Sequence, residues 1–164
     1  MKYVGKNIPR NDGFDKATGL GQFTMDVSMP HMLYARVLRS PYAHAKVVKI
    51  DTSAAEALPG VVTVCTFENT TNKPFNTSAT MVTTPRPAEP VRDQTIFTDE
   101  PKYIGDEVAA VAAETEAIAA EAIKRIKVEY EVLPAVYDPV EALKPDSPEV
   151  QPLYGNKEHH NVCG

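Results

Sequence analysis

The chain has 164 residues, 43% hydrophobic and 24% charged, with a formal net charge of −5, which suits one soluble domain with its own core rather than two. A mildly acidic chain without a Lys/Arg cluster argues against a nucleic-acid partner, whose affinity rests on neutralised phosphates. No apolar run is long enough to span a bilayer, and "MKYVGKNIPR" lacks the apolar core of a secretory leader, so no membrane partner and a cytoplasmic location are expected.

Residues 1–22 are rich in Gly, Asp, Asn and Lys and show little periodicity, so an extended N-terminal arm is expected. "GLGQF" holds a lone Gly-x-Gly with no visible strand before it or helix after it, and reads as a turn rather than a phosphate loop. "HMLYARVLRS" suggests a strand, "SPYAHA" breaks it at Pro41, and "KVVKID" starts another. In "DTSAAEALPG" a short helix is expected, with Ser53 and Glu56 as a capping box and Pro59-Gly60 as the stop. "VVTVCTF" is β-branched and apolar on both faces, which predicts a central strand with Cys65 as a small buried hydrophobe.

Residues 69–101 form a long Asn/Thr/Pro-rich loop, a texture usually functional or partner-covered. "QTIFTDEPKYIGD" predicts a hairpin with turns at Asp99–Pro101 and Gly105-Asp106. From Val108 to Ala113 an apolar strand is expected. Thr115 then caps a helix whose buried face carries Ile118, Ala119, Ala122, Ile123 and Ile126, with Glu121 and Arg125 paired outside. "KVEYEV" alternates as an amphipathic strand, and a short helix follows near Val140–Leu143. Residues 146–164 read as a linker. The pattern is α/β (or α+β): two strand–helix–strand units, around 46–67 and 107–132, in a mixed sheet.

Chemistry is sparse. His159, His160 and Cys163 are the best metal candidates, but they sit on a linker-like tail without a second Cys pair. His44 could act as a base, yet no Ser or Cys nucleophile in a matching context accompanies it, and His31 reads as surface. Glu114, Glu116, Glu129 and Glu131 could be an acid/base set, with a solvated face the simpler reading. Tyr34, Tyr42 and Tyr103 do not interleave with basic residues as a stacking platform would. Asn69 and Asn76 fit glycosylation sequons by chance. A disulfide between Cys65 and Cys163 is unsupported, and a reduced protein is the better expectation. No catalytic, cofactor-binding or metal-binding residue is therefore assigned.

Three blocks, "VGKNIPRNDGFDKATGLGQFTMDV", "MLYARVLRSPYAHAKVVKIDTSAAEALPGVVTV" and "YIGDEVAAVAAETEAIAAEAIKRIKVEYEVLPAVYDPVEAL", resemble consecutive parts of the xanthine dehydrogenase/aldehyde oxidase family. They are similar to the N-terminal α/β hammerhead domain of its molybdenum-binding large subunit. The resemblance implies a hammerhead domain at 23–145, with 146–164 leading to a molybdopterin-binding domain. The full subunit would hold molybdopterin, often as the cytosine dinucleotide, and pass electrons from hydroxylated N-heterocycles or aldehydes through 2Fe–2S clusters to FAD. The family's cofactor loops and glutamate base lie downstream, so no residue here matches them. The chain alone is expected to be non-catalytic scaffold. Its expected partners are the downstream domain, the 2Fe–2S and FAD subunits and, in isolation, another copy of itself through apolar groups at Pro41, Tyr42, Met81, Val82, Val150 and Leu153. The alternatives are a carrier-like module, with Lys102 as the nearest candidate lysine, and a small metalloenzyme using the His159/His160/Cys163 tail.

Overall fold

The computed structural model describes residues 4–75, 94–150 and 161. The chain divides into two compact units, Met1–Met32 and Leu33–Gly164.

The first unit is not simply extended. It contains α1 (Gly13–Thr18), which closes at Gly19 with φ of 77°, the left-handed C-terminal position that glycine adopts at no steric cost. Asp12 receives both Arg10 and Lys16 as ion-pair partners, and these hold its carboxyl below the usual range. A single 3₁₀ turn follows at Thr24–Asp26, where the Asp26 carboxylate accepts from the Phe23 N–H at 3.0 Å. Neither element buries a residue, which is why hydrophobic periodicity gave no sign of them.

The second unit holds β1 (Tyr34–Arg39), β2 (Ala45–Asp51), α2 (Ser53–Glu56), β3 (Val61–Thr66), β4 (Glu107–Ala113), α3 (Glu116–Ile123), β5 (Lys127–Val132) and α4 (Pro139–Ala142). Its strands form two sheets, β1-β4-β3 and β2-β5, and every strand pair is antiparallel. The mixed sheet expected from sequence is thus corrected. Each strand–helix–strand unit crosses between sheets: β2–α2–β3 passes from the pair to the triple, and β4–α3–β5 passes back. The two helices pack with β3 and β4 around Ala55, Val64, Ala109, Val111, Ala122 and Ile126. Fully buried Ala119 and Ala122 bring α3 close to the sheet, and burying a valine such as Val111 contributes about 1.5–3 kcal/mol.

β4, not β3, is the central strand. β3 lies on an edge because its other side has no hydrogen-bonded neighbour among the described residues. The expected capping box at Ser53 is also replaced. Asp51 captures the Ser53 N–H and hydroxyl at 3.1 and 2.6 Å, while Thr52 precedes the helix and its hydroxyl donates to Glu56 at 2.7 Å. The carboxylate two residues upstream outcompetes the box. At α3 the expectation holds, with Thr115 Oγ1 accepting from the Ile118 N–H at 3.2 Å and Arg125 meeting Glu121 at 3.2 Å. In α4 the Asp138 carboxylate caps two N–H groups.

Residues 94–106 do not form a hairpin. Among the described residues its one isolated bridge joins Phe75 and Gln94, and the segment beyond runs as bends, tied to β4 by Thr98 donating to Glu107 O and to β2 by Val47 donating to Asp99 O and Ala45 to Pro101 O. β2 and the start of β4 therefore supply the partners that the hairpin reading assigned to the segment itself.

Candidate functional site

The segment 99–106 is tied to the β1–β2 connection. Ser40, almost fully buried, donates from its N–H to Asp106 O, and Gly105 donates back to Ser40 O, both at 2.8 Å. Gly105 takes φ of 101°, which frees its carbonyl to accept from the Arg39 guanidinium at 2.7 Å while Arg39 also pairs with Glu107. Asp106 accepts from the Lys102 N–H at 2.9 Å and the Glu107 N–H at 3.0 Å. Burial nevertheless outweighs these bonds and raises its carboxyl pKa. Tyr103 donates to Glu107 at 3.3 Å, and partial burial, then the Asp106 and Glu107 charges, raise its phenol.

Between this segment and the strand exits lies a cavity of about 260 Å³, lined chiefly by apolar groups such as Ile104, Val136, Tyr137 and Val150. His44 stands at its wall. Its Nδ1 is 2.7 Å from Pro134 O, and since a carbonyl only accepts, Nδ1 carries the proton. Nε2 faces Glu100 Oε1 at 3.4 Å. Leu133 donates to His44 O at 3.0 Å. His44 thereby joins the start of β2 to the segment after β5 through its Nδ1–H and its backbone carbonyl, and Nε2 can bond Glu100 only when the ring is protonated at both nitrogens. No Ser, Thr or Cys lines the cavity among the described residues, so a His-activated nucleophile has no second member there.

The other sequence candidates are spread apart. Glu116 pairs with Arg36 on the helix side of β1. Glu129 and Glu131 lie opposite Lys49 and Lys46 in the β2–β5 register, where opposite charges on facing strands stabilise modestly. Glu114 is exposed beside the Gly60 turn. Tyr34 is exposed on β1, and Tyr42 stacks edge-on with Tyr130 at 5.3 Å, whose phenol is raised mainly by burial. His31 is exposed with φ of 61°. Asn69 spends its amide on Val64 O and its carbonyl on the Thr66 N–H, both at 2.8 Å, so its nitrogen closes a turn. Cys65 is half-buried on β3. Lys102, half-buried, sits in a turn at the cavity rather than at a hairpin tip. Among the described residues no three His, Cys, Asp or Glu converge as metal ligands. His159, His160, Cys163, Asn76, Met81, Val82 and Leu153 lie outside the described residues. Sequence reasoning missed the cavity because its wall is drawn from stretches far apart in the chain. Local pairing of Pro134 with a histidine elsewhere leaves no sequence signal.

No helix among the described residues is long and apolar enough to cross a membrane. The family model described as "Aldehyde oxidase and xanthine dehydrogenase, a/b hammerhead domain" matches residues 18–134. The chain is 37% identical over 150 residues to the "Probable hypoxanthine oxidase XdhD" of Escherichia coli K12, covering 92% of this chain and 15% of that one. It is 36% identical over 151 residues to the "Carbon monoxide dehydrogenase large chain" of Hydrogenophaga pseudoflava, covering 87% and 18%. The crystal structure of the aldehyde oxidoreductase from Desulfovibrio desulfuricans superimposes with a TM-score of 0.76 at 34% identity, covering 90% of this chain and 17% of that one. The chain thus spans about a sixth of the proteins it matches. The ordered strands and helices, the two antiparallel sheets and these matches agree: the chain belongs to the aldehyde oxidase and xanthine dehydrogenase family and comprises its α/β hammerhead domain.

Proposed function

We propose that these residues are the non-catalytic structural domain of a molybdenum hydroxylase large subunit that oxidises N-heterocycles or aldehydes in the cytoplasm. Residues 23–145 form the hammerhead and 146–164 lead into the molybdopterin-binding domain. The observation that carries this reading is the commitment of the candidate side chains to the fold itself. His44 ties the start of β2 to the segment after β5, Asp106 and Arg39 organise a turn, and Glu116 holds α3 to β1.

The described residues do not fit molybdopterin. The group is large, polyanionic at its phosphate and ligated through a dithiolene, whereas the cavity is about 260 Å³ and mostly apolar, with both Lys102 and Glu149 in its lining. In the full subunit the cofactor, as the cytosine dinucleotide form, would be held by polypeptide beyond this domain, with 2Fe–2S and FAD in partner subunits or domains. The experiment is to identify the species carrying these residues in a native extract, with an antibody to the chain and molybdenum analysis of each size fraction. Co-elution with molybdenum at several times the mass of the chain is expected. A molybdenum-free 17.9 kDa species alone would refute it.

A further inference from the structure

Glu100 is pinned to β2 through the residues on either side of it. The Val47 N–H donates to Asp99 O at 2.7 Å and the Ala45 N–H to Pro101 O at 3.1 Å, so the backbone around Glu100 keeps its place whatever its side chain does. The Glu100 N–H in turn donates to Thr98 Oγ1 at 3.0 Å. His44 is fixed just as independently, by the Leu133 N–H donating to its carbonyl and by its own Nδ1–H donating to Pro134 O at 2.7 Å. The two side chains meet at one point, Nε2 to Glu100 Oε1 at 3.4 Å. With a neutral ring the proton stays on Nδ1, because Pro134 O only accepts, and Nε2 turns a lone pair toward a carboxylate oxygen. Two acceptors are then held face to face with no bond between them. A second proton makes Nε2–H a donor, keeps the Nδ1–H bond and gives the contact the strength of a charge-assisted pair.

We propose that His44 and Glu100 form a proton-operated latch, closed in acid, that fastens the segment 99–106 to the segment after β5. These two segments are opposite walls of the cavity: Lys102, Tyr103 and Ile104 come from the first, and Pro134 and Tyr137 from the second. The latch therefore sets how readily the cavity wall opens, whether or not the chain serves in a larger subunit. The bond exists only with the added proton, so it is present at low pH and lost as pH rises. A carboxylate ordinarily stays ionised across the interval from about pH 5 to pH 8 in which histidines change charge. Other titratable groups surround the pair. Lys102, Tyr103, Tyr137 and Glu149 line the same cavity, and Asp99 adjoins Glu100. β2 and β5 add Lys46 opposite Glu131, and Tyr42 lies against Tyr130. Because the His44 side chain is 20% exposed and that of Glu100 47%, the latch is a weak one, sensitive to salt.

The Ala45 and Val47 amides report on the segment directly, since their acceptors are Pro101 O and Asp99 O. Their hydrogen exchange is followed by NMR in the 164-residue chain at about pH 5 and about pH 8, corrected for the intrinsic pH dependence of exchange and compared with amides of β4. Protection of the two amides should be about two- to fivefold greater at the lower pH, the size of a partly exposed ion pair, while β4 shows no such gain. His44→Asn keeps an amide able to donate to Pro134 O, and Glu100→Met keeps length without charge. Each should abolish the gain, and the double variant should lose no more than either single one, a cycle that cancels the surrounding titratable groups. In the parent at about pH 8 the nitrogen shifts of the His44 ring should place the proton on Nδ1. Equal protection at both pH values overturns the latch, as does a gain that survives Glu100→Met. A gain shared equally by β4 assigns the effect to global stability and overturns it too. A neutral ring protonated on Nε2 overturns it without any variant.

Discussion

Gly60 ends the α2 turn with φ of 87°, and a Cβ built there would stand 2.6 Å from Ile118 Cδ1. Gly60→Ala therefore meets two separable costs. Holding an L-residue in the left-handed region costs about 1–2 kcal/mol. Turning Ile118 away costs about 0.5–1.5 kcal/mol as an off-rotamer side chain, modest because Cδ1 is the end of a flexible group. The position cannot shift freely, since Gly60 O accepts from the Glu114 N–H at 2.9 Å and so links the start of β3 to the end of β4. The sum is about 1.5–3.5 kcal/mol of destabilisation, a large fraction of a small domain's stability. Ile118→Val removes Cδ1 and costs by itself about 0.5–1 kcal/mol at this half-buried site. In the double variant the clash is gone and the backbone cost stays. The double-mutant cycle, measured by urea unfolding of the 164-residue chain, should show a favourable coupling of about 0.5–1.5 kcal/mol. A neutral Gly60→Ala would refute the backbone argument, and strict additivity would refute the side-chain contact.

Thr115→Ala should cost about 1 kcal/mol by uncapping α3, with Thr115→Ser largely retained, as read by thermal unfolding. Asn69→Ala removes a donor and an acceptor that close the turn after β3 and should cost about 1–3 kcal/mol; an unchanged unfolding midpoint would contradict that bonding. Asp106 should titrate above 3.8 by NMR because burial raises it. A raised carboxyl contributes stability that is present below 3.8 and lost as pH rises through its native value. Asp106→Asn should therefore gain stability relative to the parent as pH rises across that interval, and a gap that narrows instead would reverse the assignment. Asp51, lowered mainly by its bond from the Ser53 hydroxyl, should titrate below 3.8 and act in the opposite sense.

Where one element's periodicity decided its structure, the sequence was a good guide. β4, α3 and β5 appear as expected because the apolar runs, the Thr115 cap and the change from helical to alternating spacing all agree. The division into two sheets was hidden, since a strand–helix–strand pattern does not say which sheet each strand joins. β3 looked central from its composition, yet its apolar residues serve a helix-covered face on an edge strand. At the start of α2 the deciding group was Asp51, a competitor two residues before the expected cap. α1 buries nothing, so it left no apolar stripe, although Gly19 just past its end was a usable stop signal. The cavity around His44 depends on contacts 56 and 90 residues away in sequence, which no local pattern can announce.

The central claim is that these residues support a molybdenum site that they do not themselves form. The most direct test is to express the 164-residue chain in a host and under conditions that load molybdenum into a full-length relative, then measure molybdenum and iron by elemental analysis alongside hypoxanthine and aldehyde oxidation. The expected result is a folded chain carrying neither metal in stoichiometric amount and oxidising neither substrate. Stoichiometric molybdenum bound to the folded chain would contradict it.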